Sequence, residues 1–296
     1  MINVETALVT IQSAPRRRHP DWIRSRVPGG ERYRYLKDTL RRFNLHTVCE
    51  EAQCPNMGEC WNHGAATFML MGDVCTRRCN FCAVDKGKPG HLDVGEPEHV
   101  AEVVKAMGLD YVVLTSVTRD DLADQGAHHI GSTIEAIHRR LPQAKLEMLI
   151  PDFRGEPRCV ERVVKTPLHV LAHNMETVPR LYKSVRPGAV YERSLRVLEM
   201  AKEFRHDILT KSGLMLGLGE TREELLAVFS DLRKLGCDIL TLGQYLQPSA
   251  DQLSIVRYIT PQEFADLKRD ALALGFRHVE SGPLVRSSYH AWEHVA

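Results

Sequence analysis

Short apolar runs recur at about 67–72, 111–116, 146–150, 168–172, 211–216 and 238–243, each leading, directly or through a loop, into a segment with helical spacing. No other feature constrains the fold as strongly. From Glu96 to Met107, the residues Val100, Val103, Val104 and Met107 share one helical face, and Ile130, Ile134, Ile137 and Leu141 repeat the pattern. Thr221 with Glu224 three residues on is a capping box, and Leu225, Phe229 and Leu232 line one face of the helix it starts. Pro261 suits the first position of a last helix reaching about Leu274, with Gly275 as its stop. Six strand–helix units in succession predict parallel strands with helices outside, because parallel neighbours need crossover connections. A doubly wound sheet and an incomplete barrel both satisfy this pattern, and six units fall short of an eight-unit barrel. In such folds the loops after the strands carry the chemistry. Thr115-Ser116 and His173-Asn174, at the ends of the second and fourth runs, should therefore face one cavity.

The balance of the chain excludes several other classes. With 296 residues, 43% apolar and 26% charged, it is neither disordered nor a coiled coil. Apolar stretches such as Phe68-Met69-Leu70-Met71 fall far short of the roughly 18 residues of a membrane span. Asn3, Glu5 and Thr6 make a poor secretory signal, so a cytoplasmic setting is expected. Charge is uneven: Arg16 to Arg42 holds ten Lys and Arg against three acids, while the whole chain is only +1. Such a basic arm suits an acidic partner, or is simply a solvated surface. Six of the eight cysteines lie between positions 49 and 82. In a reducing compartment, clustered thiols point to metal rather than disulfides. Cys159 and Cys237, alone among apolar residues, read as core.

The six cysteines form two triplets. Cys75, Cys79 and Cys82, spaced C-x3-C-x2-C, follow the first strand on one tight loop. Three thiolates there can hold three irons of a four-iron–four-sulfur (4Fe-4S) cluster and leave the fourth open to a small molecule. Structural zinc would want four ligands, and the spacing suits it poorly. Cys49, Cys54 and Cys60, spaced C-x4-C-x5-C, lie upstream and would hold a second cluster, unless they simply pack around Trp61.

The triplet Cys75, Cys79 and Cys82 resembles the signature of the radical S-adenosylmethionine superfamily. That resemblance implies a partial strand–helix barrel in which the open iron binds the amino and carboxylate groups of S-adenosylmethionine. Electron transfer then cleaves the sulfonium to methionine and a 5′-deoxyadenosyl radical. Strongly negative potentials are within reach of thiolate-held clusters. Three segments together resemble the lipoyl synthase family: Cys-Glu-Glu-Ala-Gln-Cys-Pro-Asn-Met-Gly-Glu-Cys-Trp from Cys49, Met-Gly-Asp-Val-Cys-Thr-Arg-Arg-Cys-Asn-Phe-Cys from Met71, and Arg286-Ser287-Ser288-Tyr289-His290-Ala291. The resemblance runs from about Trp22 to Ala291, with Gln125 standing where the family usually has a second glycine.

What this implies is an α/β fold, a partial (β/α)6 TIM-type barrel over 65–280, with an N-terminal cysteine-containing extension over 1–64. A C-terminal segment, 281–296, would close over the auxiliary cluster. The reaction would insert sulfur at C6 and C8 of an octanoyl group, with the auxiliary cluster as sulfur source. Unactivated C–H bonds at those carbons call for a radical rather than a side-chain base. The serine beside the tyrosine, Ser288 with Ser287 as fallback, would complete the auxiliary cluster, supported by Arg286; taken alone, such a serine pair is more often a turn element. Phe81, Thr115, Ser116, Asn174 and Arg186 are candidate S-adenosylmethionine contacts, Arg186 through its planar fork. Gly217 and Glu220 resemble the superfamily's G-x-I-x-G-x-x-E element beside the adenine, although close backbone packing alone explains a glycine-rich strand end. Asp120-Asp121 reads as a cap or salt-bridge pair.

The partners implied are octanoylated lipoyl-carrier domains, of the glycine cleavage H protein or 2-oxoacid dehydrogenase E2 type, and an electron donor such as ferredoxin or flavodoxin. Neither nucleic acid nor membrane is expected. A biotin synthase-like inserter would need another auxiliary motif. An iron–sulfur electron carrier would need neither six units nor an open iron. A nucleic-acid binder should be basic overall, which +1 is not.

Overall fold

A computed structural model of the chain describes residues 19–23, 29–43, 45–51, 54, 56–62 and 67–295. Arg16, Arg17, Arg18, Arg24 and Arg26 of the basic arm lie outside them. Helix α1 (Glu31–Arg42) leads into strand β1 (His46–Thr47) and the short helices α2 (Val48–Glu51) and α3 (Met57–Asn62). Strand β2 (Thr67–Leu70) begins the main sheet, and a ribbon of β3 (Val74–Cys75) and β4 (Asp85–Lys86) follows it. Then α4 (Glu96–Met107), β5 (Tyr111–Ser116), α5 (Ala127–Arg140), β6 (Lys145–Leu149), α6 (Pro157–Val164) and β7 (Val170–Ala172) alternate. Helices α7 (Tyr182–Val185) and α8 (Tyr191–Phe204) precede β8 (Leu209–Leu216), α9 (Arg222–Lys234), β9 (Ile239–Gln244), α10 (Pro261–Ala273) and β10 (His278–Gly282).

The main sheet runs β1-β2-β5-β6-β7-β8-β9-β10, parallel from β2 onward, with β1 antiparallel to β2. Because β1 and β10 are its edges, the barrel is open, as six units require. All six expected strands are present. The seventh parallel strand, β10, has no apolar run to announce it, because His278, Glu280 and Ser281 interrupt Val279. Its partner β9 is buried throughout and supplies the apolar contact that β10 lacks.

Helix ends follow local chemistry. Gly108, at φ 59°, stops α4 in the left-handed region that L side chains avoid. The box at Thr221 and Glu224 forms as expected, and Thr260 with Glu263 makes another before α10. Val100, Val103, Val104, Ile130, Ile134 and Ile137 are fully buried between the sheet and helices α4 and α5. Each such side chain contributes roughly 1.5–3 kcal/mol relative to exposure. Cys159 and Cys237 are core residues, as read from sequence. Gln125 sits at φ 52° before Gly126 at φ 86°, and its Nε2 donates to the Phe153 carbonyl at 3.0 Å, so a side-chain anchor holds the turn a glycine would favour. No helix among the described residues is long and apolar enough to cross a membrane.

Candidate active site

Cys75 ends the short strand β3, paired through the ribbon with Lys86, and the loop that follows is pinned from several sides. Asn80 donates from its backbone to Val185 and from Nδ2 to the Ser184 carbonyl at 2.8 Å, fixing the loop on α7. Arg77 forms ion pairs with Asp120 and Asp152, and Arg154 joins Asp120 at 3.1 Å. Against burial, which alone would raise it, the Arg77 guanidinium holds the Asp120 carboxyl below its usual range. Asp120 is thus a salt-bridge residue, as is Asp121 through Arg119 at 2.8 Å.

Cys49 lies on α2 and Cys60 on α3, and the Cys54 amide donates to the Cys49 carbonyl at 2.9 Å. Asn56 Nδ2 donates to the Leu284 carbonyl at 2.6 Å, binding this extension to the C-terminal segment. That segment lies directly on the sheet, because a Cβ at Gly243 would collide with the Val285 carbonyl. Ala291 and Trp292 pack on Tyr111 and Val113 of β5. A narrow cleft therefore holds Cys49, Cys54, Cys60, Ser288 and Tyr289 together, with Arg286 beside Cys54.

A cavity of about 540 Å3 opens at the C-terminal ends of the strands. Cys75, Cys79 and Cys82 line it, and so do Cys49, Cys54, Ser287 and Ser288. Cysteines of both triplets thus face one chamber, while Cys60 borders only the cleft. Phe81, Thr115, Ser116, Asn174 and Arg186 also line it. Gly217 and Glu220 are not among its lining residues. Glu220 accepts from the Gly217 and Leu218 amides at 2.6 and 2.9 Å, so its carboxylate wraps its own turn.

All eight cysteines are free thiols. Burial pushes the Cys49 thiol up to about 11, Cys60 to about 12 and Cys79 to about 11. Thiols this reluctant to ionise alone become ligands when a metal centre supplies the compensating charge. No group of three or more His, Cys, Asp or Glu among the described residues closes on a single ion. The triplets border open space instead, a donor set that fits a polynuclear cluster better than zinc. Around that space, Ser116 Oγ, Asn174 Oδ1, Arg186 Nε and His173 Nε2 are buried polar atoms with no protein partner. Unpaired groups of this kind suit a polar ligand in the chamber.

Several of these residues were not apparent from sequence. Glu176 lines the chamber, held at φ 66° by the Gly213 carbonyl, while burial raises its carboxyl. Arg77, Asp152 and Glu147 line it as well. A charge inside a strand or loop reads as solvated until the fold encloses it.

The radical SAM superfamily model matches residues 69–232, and the model for the N-terminal domain of lipoyl synthase of that family matches residues 3–54. The lipoyl synthase of Rubrobacter xylanophilus is 55% identical over 95% of this chain and 88% of its own length. That of Koribacter versatilis is 54% identical over 97% and 95%. Among solved structures, Streptococcus suis SuiB bound to precursor peptide SuiA superposes with a TM-score of 0.57 at 12% identity, covering 84% of this chain and 53% of that one. HydG gives 0.57 at 13% identity, with 77% and 61% covered. Likeness at such low identity concerns the fold alone.

Proposed function

The chain belongs to the lipoyl synthase family of radical S-adenosylmethionine enzymes, and on that premise we propose that the chamber walled by cysteines of both triplets is where sulfur enters a protein-bound octanoyl group. The family makes it an enzyme of lipoyl synthesis that uses 4Fe-4S clusters and S-adenosylmethionine, with sulfur insertion at C6 and C8. The observation that carries the assignment of the site is the shared cavity: substrate carbon, radical source and sulfur source must meet, and one chamber is lined by Cys49 and Cys54 as well as by Cys75, Cys79 and Cys82.

In this reading Cys75, Cys79 and Cys82 hold the cluster that binds S-adenosylmethionine. Bound there, cofactor and cluster supply a carbon radical able to take hydrogen from an unactivated C–H bond. The chain's own residues orient and enclose. Arg186 donates from Nη1 to the Asn174 carbonyl at 2.7 Å, which leaves its unpartnered Nε for the cofactor carboxylate. Thr115, Ser116 and Asn174 offer hydrogen bonds, and Phe81 an apolar wall. Gly217 and Glu220 support the site from outside the lining, by shaping the turn after β8. Cys49, Cys54 and Cys60 hold the sulfur-donating cluster, a substrate of the reaction. Ser288, which borders both cleft and chamber, is its fourth ligand in preference to Ser287, which lines only the chamber. Arg286 supports that end beside Cys54.

The units 1–64, 65–280 and 281–296 then serve as sulfur-source arm, radical barrel and closing segment. The exposed Arg34, Arg41 and Arg42 of α1 suit docking of an acidic octanoylated carrier domain, of glycine cleavage H protein or E2 type. A ferredoxin or flavodoxin is the proposed electron donor. Free thiols throughout fit a cytoplasmic setting.

Iron and sulfide counting on anaerobically purified protein tests the assignment. About eight irons are expected. Alanine at Cys49, Cys54 and Cys60 should remove half, abolish lipoyl product and spare S-adenosylmethionine cleavage. Loss of cleavage in that variant, with cleavage kept when Cys75, Cys79 and Cys82 are replaced, would reverse the roles.

A further inference from the structure

Inside the barrel lies a charged group that none of these roles uses. Lys211 Nζ donates to Glu147 Oε1 at 2.7 Å, and the Tyr111 hydroxyl donates to Glu147 Oε2 at 2.7 Å. The Lys211 and Glu147 side chains are 0% and 1% exposed. Their strand positions fix their depth. Alternate residues of a strand share a face, so Tyr111 lies below the cavity-lining Val113 and Thr115 of β5, and Lys211 below Gly213 and Met215 of β8. Glu147, below Leu149 on β6, lines the chamber itself. Tyr111 and Val113 also border the cleft of Cys49, Cys54 and Cys60, so this group lies under the sulfur-donor side of the chamber.

A saturated acyl chain has no polar group beyond its amide. Its carbons can be set in register with a reacting centre only from their two ends. An apolar channel running deeper would reward every added methylene with further burial. A fully paired, buried ion does the reverse, because entering carbons would have to part the pair and strand a charge. We propose that Glu147, locked between Lys211 and Tyr111, is the depth stop that registers the methyl end of an eight-carbon chain and refuses longer ones. The proposal rests on the octanoyl reading above and assigns these residues to substrate specificity.

The test measures affinity rather than turnover. Lysine peptides carrying hexanoyl, octanoyl or decanoyl amides are titrated calorimetrically into the anaerobic, cluster-loaded full chain without reductant. A stop predicts that decanoyl binds at least about tenfold more weakly than octanoyl, whereas an open channel would tighten it roughly tenfold. The Glu147→Ala/Lys211→Ala double variant removes both charges together and opens the floor, so decanoyl should bind it at least as well as octanoyl. Decanoyl binding as tight as octanoyl in the unaltered chain, or an undiminished octanoyl preference in a folded double variant, would overturn the proposal. If the double variant does not fold, the length series on the unaltered chain decides alone. Failure of all three peptides to bind would instead remove the octanoyl reading beneath it.

Discussion

Arg77 Nη2 donates to Asp152 Oδ1 at 3.1 Å, so a residue between Cys75 and Cys79 is tied to the loop after β6. The same guanidinium reaches Asp120 Oδ1 at 2.9 Å and the Gly188 carbonyl at 3.0 Å. A lysine at 77 could satisfy one of these acceptors, not the set. Arg77→Lys should therefore lower iron retention at Cys75, Cys79 and Cys82, or S-adenosylmethionine cleavage, by about 10–100-fold. Iron content together with the electron paramagnetic resonance signal of the reduced cluster checks this, and full retention of both would remove Arg77 from the site.

As the proposed fourth ligand of the cluster at Cys49, Cys54 and Cys60, Ser288 would bind iron through a hydroxyl, an unusual donor. An alkoxide is readily displaced by protonation, which suits a centre that must come apart to give sulfur. Ser288→Cys should load the same iron yet make less than about one-tenth of the product. Unimpaired product formation by that variant would contradict a need for a weak ligand.

His173 gives a pH prediction. Burial, with the Arg186 charge beside it, pushes its imidazole down to about 4, and its Nδ1 lies 2.9 Å from the Ile150 carbonyl. The unfolded imidazole titrates near 6.5, so between about 6.5 and 4 the unfolded state binds more protons. Stability present above pH 6.5 is lost as pH falls through that window, by at most about 3 kcal/mol. Urea denaturation at pH 7 and pH 4.5, for the unaltered chain and His173→Asn, isolates this contribution. Equal acid losses in the two would mean that His173 is not responsible.

The buried pair in the barrel predicts a stability ladder. Lys211→Met alone leaves the Glu147 carboxylate without its cation and should cost about 3–5 kcal/mol. Tyr111→Phe removes one hydrogen bond to the same carboxylate and should cost about 1.5–3 kcal/mol. Denaturant midpoints at constant slope would show that order, and the reverse order would place the charge balance elsewhere.

Docking through α1 should respond to salt. If Arg34, Arg41 and Arg42 steer an acidic carrier, its association rate falls by about tenfold from low to near-physiological ionic strength. Stopped-flow rates that stay constant across that range would argue against electrostatic steering.

What could be read from sequence was local. Strands such as Tyr111–Ser116 announce themselves as β-branched apolar runs, and the Thr221 box depends only on residues three apart. The cysteine spacings fix which thiols share a loop. Strand β10 escaped notice because its neighbour provides the apolar contact, so its own residues need not. Lys211 and Glu147 escaped because each looks like a solvated charge until strands 64 residues apart in sequence face one another. Glycine spacing drew attention to Gly217 and Glu220, yet the spacing cannot say that the carboxylate turns to its own amides.

The wall shared by Cys49 and Ser288 joins residues 239 positions apart. Contacts of such long range must repay a large loop-closure cost and slow the folding of the chains that depend on them. Until that closure is made, the thiols of the first triplet lack the wall that Arg286, Ser288 and Tyr289 provide.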